Sequence, residues 1–301
     1  MTARLLLLER RIGGHLGTSF VSFALLFAPY WFLGFGMAQV LRERLRARAL
    51  RIMLPGLLVI AYIIFALPRG DFRLNYAVAL TAIPIGLAAM FELSPPASSA
   101  ITWQDAIALL AIGLPAEFGW LRPAWPQSGM GFAPKLLLVD AGLYAFLVVR
   151  GLEGVKYDFC LRRRDLAVGF REWAFFAPFG IGVGFALSFI SFRGWVVSGW
   201  TIAAAWLVTF FFIAIPEEFY FRGLLQNLLE PRLGRQRALM LTAVIFGLSH
   251  FNKPLPFAWR YVLLATIAGV FYGRAWRDRR RLASSAIAHT AVDVVWSVWF
   301  R

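Results

Sequence analysis

Apolar residues along this chain gather in long blocks, and arginine-rich or Pro/Gly-rich breaks separate them. The blocks run roughly over 16–40, 52–67, 74–91, 101–121, 136–149, 174–192, 195–229, 238–250, 258–273 and 282–300. Most approach the length at which a helix crosses a hydrocarbon core of ~30 Å, although several are short. The pattern predicts an all-α polytopic transmembrane helix bundle of about 8–10 spans. Block 195–229 is too long for one simple crossing and contains Pro216, so a kinked helix or a broken pair is expected there. No internal repeat or low-complexity segment stands out.

Composition agrees with this reading. The chain is 60% hydrophobic and 16% charged, where a soluble domain carries about 25% charged residues. A net charge of +15 raises nucleic acid as a partner, but the arginines cluster between apolar blocks, as positive-inside anchoring requires, so none is expected. With the N-terminus outside, the loops 41–51, 150–173, 230–237 and 274–281 hold 19 Lys and Arg residues, against 10 in the outside segments. That asymmetry makes the first group cytoplasmic. The preference for Arg over Lys suggests a GC-rich bacterial genome, and a multi-pass chain there is expected in the inner membrane. Cys160 is the lone cysteine, so no internal disulfide can form. Loop 150–173, with Arg162-Arg163-Arg164, divides an N-terminal transmembrane region at 1–165 from a C-terminal half at 166–301.

Chemistry concentrates in that C-terminal half. Glu217 and Glu218 follow Phe210–Pro216 directly, and Arg222 comes four residues after Glu218. Such groups cost several kcal/mol in hydrocarbon unless they pair or line a wet cavity. His250 ends Phe246-Gly247-Leu248-Ser249-His250, and His289 precedes Asp293 by four residues. On helices, Glu218 with Arg222 and His289 with Asp293 share a face, while Glu217 points about a quarter-turn aside. Counting about 1.5 Å per residue from the cytoplasmic ends places Glu217 and His250 about 20 Å deep, His289 about 12 Å and Asp293 about 18 Å. Three separate helices thus bring acids and imidazoles to one level.

A shared polar cavity at that level suits hydrolysis by an activated water. A glutamate shielded from bulk solvent can take the proton from water, with a histidine sharing it. A second histidine can donate to the oxyanion of the tetrahedral intermediate. The same four groups, Glu217, His250, His289 and Asp293, also make an acceptable zinc set. Neither His-Glu-x-x-His nor Gly-x-Gly-Asp occurs in the chain. Ser249 and His250, as helix neighbours, are expected to point about 100° apart and form no dyad. Asp105 and Glu117, near span ends, are expected to snorkel, and Asp140 to be an interfacial acid. A non-catalytic scaffold or immunity protein and a proton-coupled transporter stand as alternatives to an enzyme.

The ordered set Glu217-Glu218-x-x-x-Arg222, Phe246-x-x-x-His250 and His289-x-x-x-Asp293 resembles the CPBP family (CAAX proteases and bacteriocin-processing Abi enzymes). The motifs cover about a quarter of the chain. The resemblance implies an intramembrane glutamic-type endopeptidase in the C-terminal half, acting on a membrane-anchored or hydrophobic peptide substrate, with membrane lipid as its other partner. It implies Glu217 as general base, His250 as its partner on the water, His289 and Asp293 as the oxyanion site, and Glu218 and Arg222 as support. No cofactor is then required, although zinc stays open. Asp293 departs from the Asn of the CAAX-processing members. An ionised Asp cannot donate to an oxyanion, so Asp293 is either protonated or orients His289.

Overall fold

The computed structural model describes residues 2–194, 198–252 and 258–300, with side chains from residue 16 onward. The first three positions of the expected 195–229 span lie outside the described residues. Among the described residues the regular structure is helical, with one isolated antiparallel bridge between Phe192 and Phe300. Five helical stretches are long and apolar enough to cross a membrane: Leu16–Leu33, Arg48–Arg69, Leu74–Leu93, Arg163–Ala186 and Gly199–Leu248. Further apolar helices are shorter, such as Trp103–Glu117, or carry polar residues along their length, such as Leu282–Trp299. The chain is a multi-pass membrane protein.

Two compact units make up the chain. The first comprises Met1–Ala97 and Trp103–Leu152. Its central element is the helix Ala133–Leu143, which winds on as the wider π turn Tyr144–Val149 and is buried at nearly every position. The helices Thr2–Leu33, Leu74–Leu93 and Trp103–Glu117 pack against it. Asp105 does not snorkel. It is fully buried and takes two hydrogen bonds from Arg150, at 2.6 and 2.9 Å, because the π segment delivers that guanidinium to its side. Asp140 is not interfacial either: it is buried among the apolar side chains of its own helix.

The second unit comprises Ser98–Thr102 and Glu153–Arg301. At its centre runs the helix Leu282–Trp299, buried at every position from Leu282 to Ala291. Small residues (Ala283, Ser284, Ser285, Ala286, Ala288) fill this stretch, so neighbouring backbones can come close on all sides. The helices Arg163–Ala186, Gly199–Thr209 and Ala258–Arg279 surround it.

The long segment Gly199–Leu248 resolves the question raised by Pro216. Its path is rewound into π turns at Phe210–Ala214 and Phe219–Gln226, with the short α turn Ile215–Glu218 between them. Gly234, at φ 76° and ψ 162°, then breaks the path outright. A proline and π turns are the usual causes of such bends, and a glycine is the residue that can adopt this break. The two glutamates therefore sit on a short α turn flanked on both sides by wider π turns.

Glycine also sets how near the next two helices come. A methyl group at Gly247 would lie 1.9 Å from Thr266 Oγ1 and 2.7 Å from the Val262 carbonyl. One at Gly269 would lie 3.2 Å from Ala243 Cα. Gly269 and Gly273 are one turn apart on the helix Ala258–Arg279, the small-xxx-small spacing that lets membrane helices touch backbone to backbone.

At the N-terminal end of Leu282–Trp299, Arg281 ties the preceding loop to the helix. Its Nε donates to Asp165 at 2.9 and 3.1 Å, its Nη1 to Asp158 at 2.6 Å and its Nη2 to the Cys160 carbonyl at 2.8 Å. Ser284 adds a bond to Asp165 at 3.0 Å.

Candidate active site

Glu218 is the hub of the polar cluster. The π turn that begins at Phe219 still leaves Arg222 close enough to reach back, and its Nη1 donates to Glu218 Oε1 at 3.0 Å. The same oxygen lies 2.8 Å from His289 Nδ1, while the Ser285 hydroxyl donates to Oε2. Both Glu218 and Arg222 are fully buried. Arg222 sends its Nη2 to the Gly269 carbonyl at 2.9 Å, and its guanidinium lies 4.6 Å from the centre of the Phe246 ring. Two buried charges are tolerable when they are paired and hydrogen-bonded, and here three helices contribute those bonds, although Arg222 Nε has no partner among the described residues.

His289 is oriented by the same arrangement. A carboxylate can only accept, so Nδ1 carries the proton toward Glu218 and Nε2 becomes the outward edge of the ring. Tyr272 stacks on the imidazole face at 4.5 Å with an interplanar angle of 14°, which removes the remaining freedom. Nε2 then faces two half-shielded carboxylates, Asp293 at 3.5 Å and Glu217 at 3.8 Å. The Asp293 contact lies at the outer limit of a hydrogen bond and the Glu217 contact beyond it, so Glu217 is not tied to the ring. The quarter-turn offset between Glu217 and Glu218 sends one acid into the protein and leaves the other 28% exposed.

His250 comes from the end of the helix Asn227–Leu248. Its Nδ1 lies 2.9 Å from the Phe246 carbonyl, which accepts, leaving Nε2 as the acceptor nitrogen of the neutral ring. The rings of Phe246 and Tyr261 meet it edge-on at 4.9 and 4.6 Å. Contrary to the helix-neighbour expectation, Ser249 and His250 do meet: Ser249 Oγ lies 3.3 Å from His250 Nδ1. The helix has already ended at Leu248, so the 100° spacing no longer holds. Ser249 nevertheless gives its proton to the Phe246 carbonyl at 2.8 Å, and Nδ1 spends its own there, so the contact is no nucleophile–base pair.

His250, His289 and Asp293 line one cavity of ≈ 100 Å³, walled otherwise by aromatic and aliphatic side chains such as Trp173, Phe189 and Trp296. Glu217 is not part of that wall and reaches the cluster through its approach to His289 Nε2. The structure thus gathers His289, Asp293, Glu217, Glu218 and Arg222 directly, and sets His250 across the cavity from them. The four groups that make a zinc set by residue type are not drawn around one point: among the described residues no three His, Cys, Asp or Glu side chains are placed to hold a metal ion.

Sequence reasoning missed Ser285, Tyr272 and Tyr261. Ser285 lies one helical turn before His289, a spacing that puts both on the face turned to Glu218 and could have drawn attention. Nothing local marks the two tyrosines, which belong to a third helix.

Residues 198–295 match the family model described as Type II CAAX prenyl endopeptidase Rce1-like. No curated protein and no solved structure matches the chain. The matched segment contains all three motifs and every residue of the cluster just described. Over residues 198–295 the chain is therefore similar to the Type II CAAX prenyl endopeptidases that this model describes.

Proposed function

We propose that this protein is an intramembrane endopeptidase that hydrolyses a peptide bond in a membrane-associated or hydrophobic substrate by means of an activated water. One observation carries the reading: Glu218 grips His289 through Nδ1 at 2.8 Å, so that Nε2 is turned toward Glu217 and Asp293 at the edge of an apolar cavity that His250 also lines. A buried ion pair needs no such arrangement for stability, whereas a preorganised donor beside an untied carboxylate is what water activation requires.

In this mechanism Glu217, the more exposed of the two glutamates, takes the proton from a water that His250 Nε2 also holds. The resulting hydroxide attacks the scissile carbonyl. His289, protonated on both nitrogens, donates from Nε2 to the oxyanion, and Asp293 orients that imidazolium rather than donating itself. Glu217 returns the proton to the leaving amine as the tetrahedral intermediate collapses. Glu218 and Arg222 position His289 without touching the substrate. Every step uses side chains alone, so activity should survive chelation. Loss with chelator and recovery with Zn²⁺ would replace this mechanism by a metal-assisted one.

The positive-inside charge asymmetry supports a site open toward the cytoplasmic face of a bacterial inner membrane, and a peptide precursor or a membrane-anchored regulator would fit as substrate. The test is cleavage by purified protein. Glu217→Gln and His250→Ala should each lower the rate by ~10²–10⁴-fold, the usual contribution of general acid–base groups, while remaining folded. Undiminished cleavage in either variant removes the assigned role, and a cellular function indifferent to Glu217→Gln points to a non-catalytic scaffold.

A further inference from the structure

Six acidic side chains are buried among the described residues, and five have an arginine partner: Asp105 with Arg150, Asp165 with Arg281, Glu172 with Arg274, Glu218 with Arg222 and Glu230 with Arg280. Asp140 is the sixth. It is 1% exposed, and neither of its carboxylate oxygens has a hydrogen-bond partner. In a chain with 31 Lys and Arg residues against 16 Asp and Glu, a buried acid without a cation is out of keeping with its surroundings. Buried carboxylates persist where a cation or several donors satisfy them, and here the described residues supply neither.

Asp140 is among the residues that line a cavity of ≈ 540 Å³ within the N-terminal unit. That volume is in the range of small-molecule sites, ~300–1,000 Å³. The rest of the wall is almost wholly hydrocarbon, including Leu25, Phe32, Leu57 and Ile60. Its one other polar side chain is Tyr144, whose hydroxyl already donates to the Arg51 carbonyl at 2.9 Å. Pro29, inside the helix Thr2–Leu33, has no N–H for the Leu25 carbonyl four residues back, and both residues line the same cavity. The polar equipment of the cavity therefore consists of acceptors.

We propose that this cavity binds a single-chain amphiphile ending in a protonated primary amine, with the chain against the aliphatic wall and the ammonium donating to Asp140. An anionic amphiphile would set a second negative charge beside the first. A neutral alcohol could give the carboxylate one hydrogen bond but no compensating charge. A diacyl ethanolamine lipid carries the same amine but brings a phosphate that no cationic side chain in this wall would meet.

The experiment is thermal unfolding of the full chain in phosphatidylcholine nanodiscs, whose headgroups have no N–H, with hexadecylamine, hexadecanol or hexadecanoic acid added. Only the amine should raise Tm, by several degrees. Asp140→Asn should lose that rise while unfolding by itself at the same or a higher temperature, because no partner is removed. An equal rise with the alcohol or the acid overturns the proposal, as does a full amine response in Asp140→Asn. Ethanolamine-lipid nanodiscs separate the two sources of amine. If they alone raise Tm in the wild type but not in Asp140→Asn, and hexadecylamine adds nothing, the lipid is the occupant and the single-chain proposal falls. Should Asp140→Asn fail to fold, Ile60→Trp, which fills the cavity from an exposed position, must abolish the amine response, and a retained response overturns the proposal.

Discussion

Glu217 and Glu218 are adjacent in sequence and meet opposite surroundings. Glu218 is fully buried and takes bonds from Arg222, His289 and Ser285, whereas Glu217 is 28% exposed and approaches only the outer edge of His289. Removing a member of a buried charge network leaves its partners uncompensated. Glu218→Ala should therefore cost ~3–5 kcal/mol of stability, read as a lowered unfolding midpoint in denaturant. Glu217→Gln should leave stability within ~0.5 kcal/mol and abolish cleavage. Equal stability losses in the two variants would mean that the pair is structural throughout. Ser285→Ala tests the grip on His289 from the other side: losing a hydrogen bond to a charged group should cost ~1.5–3 kcal/mol and lower kcat, with KM little changed.

Between helices, the decisive contacts are made by residues without side chains. The carbonyl of Gly269 accepts from Arg222, and Gly247 leaves room for Thr266. Gly247→Ala forces a methyl group into Thr266 Oγ1 and the Val262 carbonyl, pushing apart the two helices that carry His250 and Tyr272. Overpacking of this kind costs ~1–3 kcal/mol. Adding Thr266→Ala should recover only part of the loss, since the backbone clash at 2.7 Å remains. Full recovery in the double variant would assign the whole effect to the threonine side chain. Pro216 gave notice in the sequence that this element is irregular. The two π turns around it have no such mark in the sequence.

For the whole molecule, topology and pH response can be read from the loop that precedes Arg163–Ala186. Cys160 is the chain's lone cysteine and is exposed. With loop 150–173 in the cytoplasm, a membrane-impermeant maleimide should label it in inverted vesicles and leave it unlabelled in intact spheroplasts. The reverse result would invert the topology and place the site on the outer side. Burial raises the Asp158 carboxyl, but the hydrogen bonds from Arg281 and the Cys160 N–H outweigh it and hold the carboxyl below its ordinary value. A carboxylate depressed in the folded state contributes stability above its unfolded pKa of ~3.9 and loses it as pH falls through the folded value. Acidification below about pH 4 should therefore destabilise the wild type more than Asp158→Asn, measured as the difference in Tm between pH 7 and pH 3.5. Identical pH dependence in the two proteins would show that Arg281 does not depend on this carboxylate.

Much of the protein is determined by its sequence alone. Apolar blocks of membrane length fix an all-helical, multi-pass chain, since a backbone in lipid must satisfy its hydrogen bonds internally. The i,i+4 spacings of Glu218 with Arg222 and His289 with Asp293 are local facts of helix geometry, and the order of the three motifs already pointed to the family that residues 198–295 match. What only the tertiary structure decided is which long-range partner each charge meets. It gave Glu218 to His289, 71 positions away, drew Arg150 onto the buried Asp105, brought Ser249 to His250 where their helix ends, and left Asp140 facing a cavity without a cation. Periodicity tells which face of a helix a residue occupies. Where that face lands depends on crossing angles and on glycine contacts between helices, and these are set by the packing of the whole bundle.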